Sequence, residues 1–69
     1  MVDFRDCTGR LAATGDAKTG LVENLYKGQK TKAQLQIGES FTIERENVIT
    51  IITRISTTAF NVESRLLAA

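Results

Sequence analysis

Val48-Ile49-Thr50-Ile51-Ile52-Thr53-Arg54-Ile55 decides how this chain folds, because every residue in it except Arg54 is β-branched. Such side chains are stiff at χ1 and pack well on a pleated surface, so the stretch reads as a strand. Both of its faces are apolar. Ile49, Ile51 and Ile55 lie on one side, while Val48 and Ile52 share the other with Thr50 and Arg54. A strand of that kind needs cover on both faces and belongs in the middle of the molecule.

The same period-two alternation extends in both directions. Thr31 to Ile37 sets Ala33, Leu35 and Ile37 against Lys32, Gln34 and Gln36; Phe41 to Glu44 repeats the pattern, and Thr58 to Glu63 closes the series. Short connections at Gly38-Glu39, Glu46-Asn47 and Ser56-Thr57 predict a four-strand antiparallel meander over 31–64.

Parity assigns the faces, since a one-residue slip turns every side chain of a strand over. Leu35, Ile37, Phe41, Ile43, Ile49, Ile51 and Ile55 are all odd-numbered. Three-residue turns are therefore expected at Gly38-Glu39-Ser40 and Arg45-Glu46-Asn47, with Asn47 in the left-handed region that asparagine tolerates. A two-residue Ser56-Thr57 turn would bring the even-numbered Phe60 and Val62 onto the same face. The expected core is Leu35, Ile37, Phe41, Ile43, Ile49, Ile51, Ile55, Phe60 and Val62, closed by Phe4, Leu21 or Leu25. On this facing, Ile51→Asp prevents folding and Glu44→Lys changes little. Val48, Thr50 and Ile52 are left over. They need the N-terminal half or another subunit to cover them, and are the candidate oligomer or partner interface.

Upstream, Val2 and Phe4 alternate with Asp3 and Arg5 as a short strand, and Arg10 to Thr14 suggests another. Gly15 to Gly20 is a loop by composition. Leu21 to Tyr26 is flanked by glycines and favours a strand; one short helical turn across 20–27 is the alternative, because Leu21 with Leu25 and Val22 with Tyr26 have i,i+4 spacing. The fold expected is a single all-β domain over 1–69. Closure as a small SH3-like or OB-like barrel would remove exposed sheet edges, and 65–69 would form a flexible C-terminal tail.

Sixty-nine residues make one small domain, which buries only ~60% of the surface that its unfolded chain exposes. Oligomerisation is a natural source of extra stability at that size. Nine basic and eight acidic side chains give a net charge of +1, far from the excess of an obligate nucleic-acid binder. Cys7 is the one cysteine, and histidine is absent. No intrachain disulfide or multi-cysteine metal site can form, and the commonest general base is missing. A nucleophilic Cys7 would have only Arg5 and Arg10 near it in sequence. No apolar run reaches the ~20 residues of a membrane span, and a charged opening segment without an export signal points to the cytoplasm.

Chemistry-bearing patterns are few. Glu44 and Glu46 read as solvated charges at a hairpin tip, and Asp3 and Asp6 lack the further oxygen ligands of a calcium loop. Gly15 to Gly20 contains Lys18-Thr19, but Ala17 and Ala12 occupy positions where a phosphate loop requires glycine. Tyr26-Lys27-Gly28-Gln29-Lys30-Thr31-Lys32 places three lysines and an aromatic ring around a turn. With Arg54, Gln34, Gln36 and Asn61 on the outer face of the sheet, these residues would suit a single strand of nucleic acid.

Gln36-Ile37-Gly38-Glu39, followed by an alternating strand, resembles the first hairpin of the carbon storage regulator family of RNA-binding dimers. The resemblance covers a short stretch. The family's basic N-terminal segment has no counterpart here, and no family is assigned on it. The terminal Leu67-Ala68-Ala69 is similar to the end of the bacterial tag that delivers proteins to an unfoldase–protease.

Taken together, the residues predict a non-enzymatic interaction module with no cofactor, no metal and no membrane association. It would be a small bacterial or phage regulator or inhibitor acting through protein–protein contacts as a homo-oligomer. The alternatives are a single-stranded nucleic-acid binder using Tyr26, Lys27, Lys30, Lys32 and Arg54, and a small-ligand or nucleotide site between subunits with no dedicated residues.

Overall fold

A computed structural model describes residues 1–26 and 28–67, with the side chains of Leu25 and Tyr26 outside the description. The chain is all-β. Its strands are β1 (Val2–Arg5), β2 (Leu11–Asp16), β3 (Leu21–Tyr26), β4 (Gln29–Gln34), β5 (Ser40–Arg45), β6 (Val48–Arg54) and β7 (Phe60–Leu66). They form two antiparallel sheets, one ordered β1-β2-β3-β4 and the other β5-β6-β7. The 21–26 segment is therefore a strand and not a helical turn.

The expected four-strand meander over 31–64 divides between the two sheets. β4 pairs with β3, placing Tyr26 opposite Gln29, and does not pair with β5. Loop-closure cost favours this choice, because β3 and β4 are joined by a tight connection whereas residues 35–39 separate β4 from β5. Those residues cross from one sheet to the other instead of turning back. Leu35 N bonds Gly20 O at 2.8 Å, and Gly38 N bonds Arg54 O at 2.7 Å. Ile37 consequently sits in a turn at 57% exposure, outside the core expected for it. β1 does not pair with β7, so the barrel stays open.

The facing of β6 is the reverse of the expected one. Val48, Thr50, Ile52 and Arg54 are buried, and Ile52 has no exposed surface, whereas Ile49 and Ile51 are only half-buried. Two turns account for the reversal. Glu46 and Asn47 both have left-handed φ angles, 52° and 64°, and form a two-residue turn that opposes Arg45 to Val48. That geometry matches the twist of a hairpin better than the expected three-residue turn. At the other end Ile55 N bonds Ala59 O, and Arg54 opposes Phe60, so the Ser56-Thr57 turn is longer than expected. Each change is one residue, and each exchanges the faces. Odd-numbered Phe41 and Ile43 thus join the even-numbered face of β6.

The core lies between the sheets. Phe4, Ala12, Ala13 and Val22 meet Leu35, Ile43 and Ile52 there, with Ala33, Phe41 and Phe60 packed against them. The first sheet is therefore the cover that Ile52 requires, and Val48 on the same face is buried as well. Gly15 makes room for this packing, since a Cβ there would come within 2.6 Å of the Phe4 ring. The Phe4 ring in turn meets Phe60 edge-on, with centroids 4.9 Å apart. Outside, Ile49 and Ile51 lie opposite Arg65 and Glu63 on β7, whose alkyl stems are placed to shield them. Ile55 is 52% exposed and Val62 36%, so neither completes the core as expected.

Candidate functional site

Arg54 lies inside the protein and not on the outer face expected for it. It is 8% exposed, and its guanidinium donates three hydrogen bonds to backbone carbonyls. Nε reaches Ala17 O at 3.0 Å, Nη1 reaches Leu35 O at 2.9 Å and Nη2 reaches Lys18 O at 3.1 Å. The planar fork suits this task, because it satisfies several carbonyls from one point. It ties the β2–β3 turn and the 35–39 crossover to the end of β6. Gly20 lets the pieces meet: its φ is +83°, and a Cβ would collide with Leu35 O and crowd Nη1 of Arg54.

Of the other cationic candidates, the two that are described, Lys30 and Lys32, do not join Arg54. Lys30 and Lys32 lie exposed on β4, and both approach Glu23, at 3.4 and 3.9 Å. Lys27 lies outside the described residues, as does the side chain of Tyr26. Val48, Thr50 and Ile52, the surface expected for a partner, are 3%, 2% and 0% exposed. Their neighbours are in the same chain. Thr50 Oγ1 pairs with Ser64 Oγ at 3.1 Å, and that oxygen accepts the Cys7 amide at 2.9 Å.

The β1–β2 turn is a polar knot around Asp6, whose carboxylate is almost fully buried. One oxygen accepts hydrogen bonds from the Thr8 hydroxyl, the Thr8 amide at 2.8 Å and the Arg10 amide at 3.1 Å. The Thr8 hydroxyl is the main reason that the Asp6 carboxyl is held below its ordinary range; the two amides and the Arg10 charge add to it, against burial. Arg10 also pairs with Glu46, joining this turn to the β5–β6 turn. The knot is structural. Cys7 beside it is exposed. Among the described residues, no three histidine, cysteine, aspartate or glutamate side chains come together as a metal site, and no helix is long and apolar enough to cross a membrane.

Two surfaces remain that sequence reading missed. One is an open groove of about 600 Å³ lined by Met1, Val2, Phe4, Lys18, Ala59 and Phe60. The other is the free edge of β7, the last strand of its sheet. Val62 and Leu66 lie on its inner side, in register with Ile52 and Val48, yet are 36% and 65% exposed. The first sheet ends there in β1, only four residues long against seven for β7. Alternation in Phe60 to Leu66 could have located this surface, but only with the register of β6 in hand. The segment expected as a tail from residue 65 is instead strand to Leu66, and Leu67 N bonds Asn47 O at 2.7 Å; Ala68 and Ala69, and with them the tag-like ending, lie outside the described residues. No protein-family model, curated protein or solved structure matches this chain.

Proposed function

We propose that this chain is a non-enzymatic interaction module that works through protein–protein contacts. The observation that supports this most is the β7 edge, where a strand paired on one side only carries the exposed apolar side chains Val62 and Leu66. A sheet edge offers main-chain hydrogen bonds to another strand, and alternate side chains supply selectivity. Natural sheets usually blunt such edges, as Lys30 and Lys32 do on β4. β7 is left apolar on one side. A regulator or inhibitor confined to the cytoplasm would use a surface of this kind.

A photo-activated crosslinking residue at position 66, with position 32 as control, tests the reading in the cells that make the protein. Covalent protein adducts from position 66 and none from position 32 are expected. Nucleic-acid adducts, or no adducts from position 66, would overturn it.

A further inference from the structure

The two ends of the β6–β7 ladder reveal which backbone groups of β7 the fold leaves unused. Ile55 N donates to Ala59 O at one end, and Leu67 N donates to Asn47 O at the other. The register between them runs from Arg54 opposite Phe60 to Val48 opposite Leu66. In an antiparallel pair, alternate residues direct both amide and carbonyl at the neighbour. Asn61, Glu63 and Arg65 therefore face β6, whereas the amides and carbonyls of Val62, Ser64 and Leu66 face outward. Among the described residues no hydrogen bond occupies those outward groups.

We propose, building on the interaction-module reading, that the partner at this edge is β7 of a second copy of the same chain. The strands run antiparallel about a twofold axis at Ser64. In this register Ser64 opposes its own counterpart, Val62 opposes the partner's Leu66, and Glu63 opposes the partner's Arg65. Outward amides and carbonyls meet outward carbonyls and amides at every pair, and the two second sheets become one continuous sheet.

Charge selects the register. Glu63 and Arg65 are exposed, and neither forms an ion pair within the described residues. Moving the axis to Glu63 would set that carboxylate against itself, and moving it to Arg65 would oppose two guanidinium groups. Like charges directly opposite are destabilising, and opposite charges stabilise the pair. An axis between residues would put the inner face of one strand beside the outer face of the other. Only the Ser64 axis pairs unlike charges on one face and the exposed apolar side chains on the other. The remaining edges fit less well. β1 is short and irregular between Phe4 and Arg5, β4 carries lysines, and β5 holds Ile43 in the core.

Charge exchange tests this on the full chain, with mass read by sedimentation or light scattering across a concentration series at low salt. The wild-type chain is expected to show a reversible monomer–dimer equilibrium. Glu63→Arg and Arg65→Glu should each weaken it by on the order of tenfold, with unchanged circular dichroism because both positions are exposed. The double variant Glu63→Arg/Arg65→Glu should recover the dimer, and so should an equimolar mixture of the two single variants, which again sets unlike charges opposite each other. A monomer at every concentration overturns the proposal; position-66 adducts to a different protein would then leave the interaction-module reading standing. A dimer indifferent to both exchanges overturns the Ser64 register. Single variants that stay monomeric both in the mixture and in the combined double variant would do the same.

Discussion

A charged side chain placed inside a small core must have its polar atoms satisfied, and Arg54 meets that requirement with the carbonyls of Ala17, Lys18 and Leu35. Removing it leaves those carbonyls without a donor. Arg54→Met should therefore destabilise the protein by about 2–4 kcal/mol, and Arg54→Lys should recover little, because an ammonium cannot reproduce the fork. Urea unfolding of the three chains gives the comparison. Asp6 makes a second residue-scale prediction. Its folded carboxyl titrates below the unfolded value, so its contribution is fully present above the unfolded value of about 3.9. It is lost as pH falls through the lower folded value. Asp6→Asn should thus show a shallower loss of stability on acidification than wild type. Thermal midpoints measured downward from neutral pH would reveal the difference.

At the scale of elements, β6 shows how turn geometry governs a strand whose faces are nearly equal in hydrophobicity. The alternation of Val48 to Ile55 specifies a central strand but leaves its orientation open, since Ile49 and Ile51 are as apolar as Val48 and Ile52. The Glu46-Asn47 turn settles it, aided by the Arg10–Glu46 pair that reaches across from the other sheet. The substitution that prevents folding is accordingly Ile52→Asp and not Ile51→Asp. A milder pair measures the same facing. Ile52→Thr should cost about 2–4 kcal/mol, whereas Ile51→Thr should cost less than about 1 kcal/mol. Equal losses in denaturant unfolding would contradict the burial of Ile52. The same element accounts for the missed apolar surface. Once β6 is turned over, its expected partner face becomes core, and the exposed apolar side chains move to β7.

For the whole molecule, a chain of 69 residues has little hydrophobic gain to set against its conformational entropy. Pairing two copies along β7 would add burial for Val62 and Leu66 and couple folding to concentration. The melting temperature of the wild-type chain should rise with protein concentration, whereas that of Glu63→Arg should change far less. Calorimetry over a hundredfold concentration range reads both. A flat wild-type response would show that the fold stands without a partner.

Local pattern determined that this protein is all-β, that β6 is central, and where most strands lie, because alternation and β-branching act within a few residues. The left-handed conformation of Asn47 was legible in the same way, though not the length of its turn. Which sheet β4 joins, which face of β6 turns inward, and the burial of Arg54 were decided by tertiary structure alone. Those outcomes depend on the length of two turns and on contacts between residues far apart in the chain, such as Arg54 with Ala17 and Phe4 with Phe60. A single residue in a turn reverses a strand without altering its alternation, so the pattern is the same for either facing.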